Sequence, residues 1–217
     1  MRALRGLAIV APASHPNGLE AFVKRSIDIV GATVALVLLA PVMLIVAIAI
    51  KLDSPGPALI GQERLSKGLR PFRMFKFRSM VANAGDLVAS LALLNEATPP
   101  LFKIQKDPRL TRVGRQLRRL SIDELPQVIN VLRGDMSLVG PRPPFAHEVE
   151  YDRRRQKIRL QQLPGMTGLW QVSGRSDLGY EEMIALDLRY VRDWSILLDL
   201  SILFRTPAVV LSARGAR

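Results

Sequence analysis

The sequence predicts an α+β, mainly helical protein: one long hydrophobic helix near the N terminus, a short β-hairpin, and a compact domain ending in amphipathic helices. Three observations carry that expectation. Residues Ile29 to Ile50 form an uncharged run of 22 residues, which as a helix extends roughly 33 Å, enough to cross a bilayer's hydrocarbon. Two strand-like runs, Ala58 to Glu63 and Pro71 to Phe77, flank a turn at Lys67-Gly68. Further on, apolar residues recur at helical spacing, as Leu125, Val128, Ile129 and Leu132, and again as Met183, Ile184, Leu186, Tyr190 and Val191.

Composition narrows the classes of function. A chain of 217 residues suits one domain with a proper core. Hydrophobic residues make up 48%, and the mean hydropathy of +0.16 is high for a soluble protein. A net charge of +12 calls for a negative partner: nucleic acid, anionic lipid or a phosphorylated substrate. Of the 31 basic residues 24 are Arg, a bias that suits bidentate phosphate recognition. The absence of cysteine excludes disulfides and thiolate metal sites. Two histidines, His15 and His147, argue against a His-rich metal centre.

Taken in order, residues 1–21 read as a flexible arm, 22–52 as the hydrophobic helix and 53–217 as the folded domain. The arm has no signal-peptide core, because Leu7 to Ala13 is short and broken by Pro12. Pro41 interrupts the hydrophobic helix, removing a backbone hydrogen bond and favouring a kink. Lys24 and Arg25 flank one end and Lys51 the other, so the positive-inside rule selects neither side. A spanning helix and a re-entrant one fit these residues equally. DSPGP, Asp53 to Pro57, ends the helix.

Along the second strand Phe72, Met74 and Lys76 face one way, and Arg73, Phe75 and Phe77 the other. Alternating basic and aromatic residues suit either a nucleic-acid platform or a surface under lipid headgroups. A helix is expected over Ala82 to Glu96. The arginines 109, 112, 115, 118 and 119 then recur at helical spacing and read mostly as a solvated face. Arg118 is the exception, standing five residues before Asp123.

The stretch Arg118 to Pro143 concentrates the chemistry. Asp123 and Glu124 open a helix expected from Ser121 to about Leu132, where Ser121 and Glu124 have the spacing of a capping box. Capping alone accounts for the acids. Their company of arginines, Gly and Pro turns adds a second reading, in which carboxylates hold a divalent metal and guanidinium groups clamp phosphate oxygens. A rigid Pro-Arg-Pro fixes where Arg142 points. Glu148 to Leu160 reads as a polar surface helix. Leu163 to Ser176 is a glycine-rich loop-strand-loop in which Arg175 is either a phosphate donor or a loop residue. Tyr180 to Asp193 predicts an amphipathic helix, and Trp194 to Leu211 an interfacial segment with Trp194 and Phe204 in the headgroup plane.

KRSIDIVGATVALVLLAPVMLIVAI, SPGPALIGQERLSKGLRPFRMFKFRSM, DPRLTRVGRQLRRLSIDELPQVINVLRGDMSLVGPRP and PGMTGLWQVSGRS together resemble the bacterial sugar transferases, from about Phe22 to Ala213. These are monotopic phosphoglycosyl transferases of the exopolysaccharide and O-antigen initiating type. The resemblance implies transfer of a hexose-1-phosphate from a UDP-sugar to polyprenyl (undecaprenyl) phosphate, with UMP leaving. It implies that Asp123 is the nucleophile, forming an aspartyl-phosphosugar, and that Asp123 and Glu124 hold Mg²⁺. It further implies that Arg118, Arg142, Arg175, Lys76 and Arg78 bind phosphate or nucleotide. The helix broken at Pro41 is re-entrant in that family, with the catalytic domain on the cytoplasmic face of the bacterial inner membrane. Implied partners are the UDP-sugar, polyprenyl phosphate and membrane lipid, with no nucleic acid and with a homodimer left open. Two residue-level departures stand out: Ala40 replaces the Ser common before the helix-breaking Pro, and the arm before Phe22 is too short for the multi-helix domain of larger members. The latter is expected of a minimal form or a fragment. The WQVSGRS and DELPQ motifs lean towards UDP-glucose or UDP-galactose. A non-catalytic, membrane-anchored basic module for anionic lipid or nucleic acid is the alternative, in which Asp123 and Glu124 only cap a helix.

Overall fold

The computed structural model describes residues 16–212, leaving aside the side chain of Ser176. Most of the arm expected at 1–21 lies outside the described residues. The fold is mainly helical with two small sheets. Helix α1, Gly18–Asp53, is a single assignment of 36 residues with Pro41 inside it. It starts at Asn17, whose side chain accepts from the Glu20 N–H at 2.9 Å while Glu20 accepts from the Asn17 N–H at 2.9 Å. This capping box satisfies two donors that a helix start leaves orphaned.

Both ends of α1 are fastened to the same folded domain. Near the start, Lys24 Nζ donates to Asp199 Oδ2 at 2.5 Å and to the Val139 carbonyl at 3.1 Å. Arg25 donates to the carbonyls of Val131 and Leu132, at 2.7 and 2.9 Å. Asp28 Oδ1 accepts from the Ser137 hydroxyl and the Leu138 N–H, both at 2.9 Å. At the far end Asp53 Oδ2 accepts from the Val113 N–H at 3.1 Å. Arg78 donates to the carbonyls of Ser54 at 2.7 Å and of Pro55, just past the last turn of the helix. Between these ends Val34, Val37, Leu38, Val42, Leu44 and Ile45 are exposed. Only 11% of the most apolar window is buried, so α1 is not the core helix of a soluble protein.

Strands β1, Leu59–Leu65, and β2, Pro71–Phe77, form the expected hairpin, antiparallel with Leu59 opposite Phe77 and Leu65 opposite Pro71. Gly68 turns the chain at φ 70°, a left-handed conformation that glycine adopts without a Cβ penalty. Strand β2 serves two apolar clusters. Phe72 and Met74 pack with Ala32, Val131 and Met136, while Phe77 packs with Val46, Ile50 and Leu117. The first cluster meets α1 in its first half and the second in its second half.

Helix α2, Arg112–Arg119, leads into a 3₁₀ helix, Ile122–Gln127, and α3, Val128–Arg133. Strands β3, Ser137–Val139, and β4, Gly165–Thr167, pair in parallel. Here a Cβ on Gly165 would lie 2.0 Å from the Gly140 nitrogen, so the two backbones meet only because side chains are absent. Short helices α4, Ala146–Tyr151, and α5, Arg153–Arg159, lie between those strands, and α6, Tyr180–Arg192, and α7, Ile196–Leu211, close the chain. Tyr190, Val191, Trp194 and Ile202 build a core with Val139, Leu169 and Val172.

Five expectations are corrected. The helix expected over Ala82 to Glu96 is a string of turns ending in a short 3₁₀ stretch, Ala92–Leu94. None of its residues is buried, and without a packed face its Asn, Gly and Asp residues favour turns. The helix expected from Ser121 is 3₁₀ as far as Gln127, where Pro126 cannot donate. Ser121 is left-handed at φ 54° and makes no cap bond, so the expected capping box is not formed. The polar segment Glu148 to Leu160 is not a surface helix but two helices, with Glu148, Gln156 and Arg159 buried. Trp194 is buried in the core, its indole N–H 3.3 Å from Asp199 Oδ2, whereas Phe204 is exposed. The arginine series divides likewise: Arg112, Arg115 and Arg119 are exposed, but Arg109 is buried against Asp107.

Asn130, fully buried, ties α3 to β2. Its amide donates to the Arg73 carbonyl at 2.7 Å and accepts from the Phe75 N–H at 2.9 Å. A side chain thus pairs with the strand as a neighbouring strand would. Asn130→Ala strands both backbone groups, and a loss of about 2–4 kcal/mol is expected from the desolvation left uncompensated. Urea or thermal unfolding of the two proteins checks this.

Candidate functional site

The Asn130 clip sets the 3₁₀ helix beside β2, and that placement brings Lys76 onto the paired carboxylates. Lys76 Nζ donates to Glu124 Oε1 at 2.8 Å. Asp123 is 7% exposed, and its carboxylate takes no hydrogen bond from any other described residue. A nearly buried, unpaired carboxylate is costly, and such groups concentrate at functional sites. Burial pushes its pKa up; Lys76 and Arg118 oppose that rise, and the charge of Glu124 adds to it. Glu124 shifts the other way. Burial raises its pKa, but Lys76, then Arg142 and Arg64, outweigh burial and hold it below the ordinary range. Two adjacent carboxyls therefore have opposed tendencies, the pattern that lets neighbouring acids take separate roles.

The three arginines singled out in the sequence are each pre-tied. Arg118 Nε donates to the Ser79 hydroxyl at 3.0 Å. Arg142 Nη1 donates to both carboxylate oxygens of Glu148, at 3.0 and 2.9 Å. Arg175 donates through Nη2 to the Ser121 hydroxyl and reaches the Val209 carbonyl at 3.4 Å. Ser121 and Arg175 both have positive φ, 54° and 53°. Neither is glycine, and strain of this kind is held where surrounding contacts enforce it, often at functional sites. Arg78 donates to the carbonyls of Ser54 and Pro55 at the end of α1. Pro41 is in the exposed middle of α1, far along the chain from any of these contacts.

Several residues of this neighbourhood were not singled out. Arg64 is buried, with Nη1 on the Pro143 carbonyl at 3.0 Å and its guanidinium 3.2 Å from the centroid of the Phe145 ring. Glu148, Arg159 and Asp187 are buried in the same region. A usable sequence signal existed only for Arg64, which alternates with Gln62 on a strand.

Among the described residues no three Asp, Glu, His or Cys converge on a metal position. Mg²⁺ needs fewer protein ligands when substrate phosphates supply the rest; one or two carboxylates suffice. Asp123 has unpaired oxygens, and Glu124 has Oε2 outside any hydrogen bond among the described residues. The donor set fits that ion in that manner. Two surface clefts, of about 460 and 480 Å³, are lined by none of the candidate residues.

A buried carboxylate, a second acid and lysine and arginine cations stand in one fold with an exposed apolar helix, a set of groups that suits phosphoryl chemistry. Residues 19–213 match the sequence profile of the family described as "Bacterial sugar transferase". The chain belongs to that family. It is 44% identical over 195 residues to the "Galactosyl transferase CpsE" of Streptococcus agalactiae, covering 89% of this chain and 43% of that one. It is 41% identical over 198 residues to the "Exopolysaccharide production protein ExoY" of Rhizobium meliloti, covering 89% of this chain and 87% of that one. With the "Undecaprenyl-phosphate galactose phosphotransferase" of Salmonella typhimurium it shares 43% identity over 200 residues, 90% of this chain and 42% of that one. The chain thus spans under half the length of two of these relatives and most of the third.

Glu148 offers a pH-dependent test of the site's architecture. Burial raises its pKa, but Arg142 and Arg64 outweigh burial and hold it below the ordinary carboxylate value. A depressed acid adds stability that is present above its unfolded pKa and lost as pH falls through its folded one. Glu148→Gln is therefore expected to lower Tm at neutral pH, with the difference closing in acid. Thermal melts of both proteins between neutral and strongly acidic pH read this directly.

Proposed function

We propose that the protein is a phosphoglycosyl transferase that moves a hexose-1-phosphate from a UDP-sugar to polyprenyl phosphate, through a covalent intermediate on Asp123. The observation that carries this reading is the Asp123 carboxylate, nearly buried, unpaired and facing cations. Its raised pKa makes the ionised oxygen a better nucleophile, and Lys76 keeps ionisation within reach.

In the first step an Asp123 oxygen bonds to the sugar-bearing phosphorus. The bond from that phosphorus to the bridging oxygen breaks, and UMP leaves with that oxygen. In the second step a phosphate oxygen of polyprenyl phosphate bonds to the same phosphorus, the bond to Asp123 breaks, and the carboxylate is restored. One diphosphate replaces another, so the reaction is near balance and catalysis rests on positioning and charge neutralisation. Arg118, Arg142 and Arg175, with Lys76, supply the cations that hold phosphate oxygens. Mg²⁺, held by Asp123 and Glu124 with the substrate's phosphates, would offset diphosphate charge when bound.

On this reading α1 enters and leaves one leaflet of the bacterial inner membrane, with the folded domain on the cytoplasmic face. What supports it is the fastening of both α1 ends to one domain, while the apolar residues between them are exposed. A helix with both ends on one domain cannot set them on opposite membrane faces. UDP-galactose and UDP-glucose are the donors to try first, the former in keeping with the names of the Streptococcus and Salmonella relatives.

The test is intact mass of detergent-purified protein with Mg²⁺ and each UDP-sugar, without acceptor. The expected result is a hexose-phosphate adduct on wild type with UMP released, and neither on Asp123→Asn. That variant loses a buried charge and is expected to melt no lower than wild type. Chelation with EDTA is expected to abolish UMP release, and added Mg²⁺ to restore it. If no donor gave adduct or UMP, and polyprenyl phosphate produced no turnover, the reading would give way to a non-catalytic lipid-binding module.

A further inference from the structure

The segment Gly140–Pro144, Gly-Pro-Arg-Pro-Pro, carries Arg142 and has almost no means of holding itself. Three of its five residues lack an N–H, so no helix or ladder can form through it. Its polar backbone is instead met group by group from outside. The Gly140 N–H donates to the Thr167 carbonyl at 2.9 Å, and the Pro141 carbonyl accepts from the Gly165 N–H at 2.9 Å. The Arg142 N–H donates to Asp187 Oδ2 at 3.1 Å, and the Arg142 carbonyl accepts from Arg159 Nη2 at 2.9 Å. The Pro143 carbonyl accepts from Arg64 Nη1 at 3.0 Å, and the Pro144 carbonyl from the Leu65 N–H at 3.1 Å.

Three of these six bonds come from ionised side chains, and two of those chains are wholly buried. Arg159 and Asp187 are both 0% exposed and pair through Arg159 Nε and Asp187 Oδ2 at 3.0 Å. Asp187 Oδ1 has no hydrogen-bond partner among the described residues. A buried ion pair seldom stabilises more than well-packed apolar residues of the same volume, and one with an unmet oxygen does worse. Stability therefore does not explain the pair. What it does that an apolar pair cannot do is grip both the N–H and the carbonyl of one residue, Arg142. Glu148 meanwhile holds the guanidinium of the same residue.

We propose that Arg159, Asp187 and Arg64 are positioning residues: a buried charged clamp that fixes the Arg142 backbone so that its guanidinium meets a substrate phosphate in one geometry. This rests on the reading that Arg142 binds phosphate in the transfer reaction. Arg159 and Asp187 act through Arg142, and Arg64 adds to that hold a charge that also bears on Glu124. Displacement of a positioned group by about an ångström costs on the order of a hundredfold in rate, and guanidinium forks are the phosphate donors most sensitive to angle. The remaining contacts agree with a clamp. Arg159 Nη1 is taken by Gln156 Oε1, and Gln156 donates to the Tyr180 hydroxyl at 3.1 Å. Arg159 is thus braced from α5 and α6 and left with a single outward hand, on the Arg142 carbonyl.

A mutant cycle separates positioning from mere support of the fold. Steady-state kinetics with UDP-sugar and a short polyprenyl phosphate would compare wild type, Arg159→Lys, Arg142→Ala and the double variant, each checked for an intact melt. Arg159→Lys keeps charge and removes the bond to the Arg142 carbonyl, and is expected to lower kcat/KM by about ten- to a hundredfold. In the Arg142→Ala background the same change is expected to cost less than about twofold, because the residue it positions is gone. A loss of the same size in both backgrounds, or none from Arg159→Lys alone, overturns the clamp. If Arg159→Lys does not fold, Arg64→Lys is carried through the same cycle with the same expected non-additivity. Wild-type activity of Arg142→Ala would remove the role of Arg142, and the clamp with it. Failure of the transferase reading itself shows separately, as absence of UMP release from wild type.

Discussion

The amide of Asn130 fixes the register between β2 and the turn that carries Asp123 and Glu124, and the rest of the site depends on that register. Side chains on a strand alternate faces, so a slip of one residue would swing Lys76 away from Glu124. The hairpin cannot prevent such a slip alone, because β1 pairs only with the opposite edge of β2. Asn130 holds the free edge at two adjacent points, Arg73 and Phe75, and sits six residues beyond Glu124 on the same continuous helical stretch. Lys76 is then one residue past the clip. The ion pair that tunes both carboxylates follows from backbone geometry set one turn away.

The same strand joins the site to α1. Phe72 and Phe77 belong to separate apolar clusters, which receive the first and second halves of the hydrophobic helix. The helix is thus located against the strand that bears Lys76, and the carboxylates against that strand's other edge. Between its fastened ends α1 exposes Val, Leu and Ile side chains that water would penalise by about 1.5–3 kcal/mol each relative to an apolar surrounding. A lipid phase removes that penalty, and a substrate confined to that phase would meet the site without leaving it.

How much of this was legible in the sequence depended on whether the cause was local. The hairpin was, because alternation over seven residues and a Lys-Gly turn act within the segment itself. So were α1 and α6, whose apolar patterns are long, and the Asp-Glu pair, which is adjacent. The segment at Ala82 to Glu96 failed because helical spacing says nothing when no partner surface buries the face. Ser121 failed as a cap because its hydroxyl is engaged by Arg175, 54 residues away. Arg159 and Asp187 are 28 residues apart, and Arg64 and Pro143 are 79 apart. In YDRRRQKIR nothing distinguishes the one buried arginine from its solvated neighbours. Only the fold decides which helix face is covered, and charge pairing over such distances leaves no periodic trace.

The cations of the site show how a protein of high positive charge avoids holding loose arginines. Each candidate arginine is already tied: Arg118 to a serine hydroxyl, Arg142 to a buried glutamate, Arg175 to a left-handed serine. The ties cost little affinity for a phosphate, since they engage part of a guanidinium with five N–H groups. They do restrict rotamers, so the entropy of ordering a long side chain is met during folding and not on binding. Asp123 is nearly buried beside Lys76 and Arg118 and takes no hydrogen bond from another described residue. Folding tolerates that carboxylate because the charges of Lys76 and Arg118 oppose the cost of burying it.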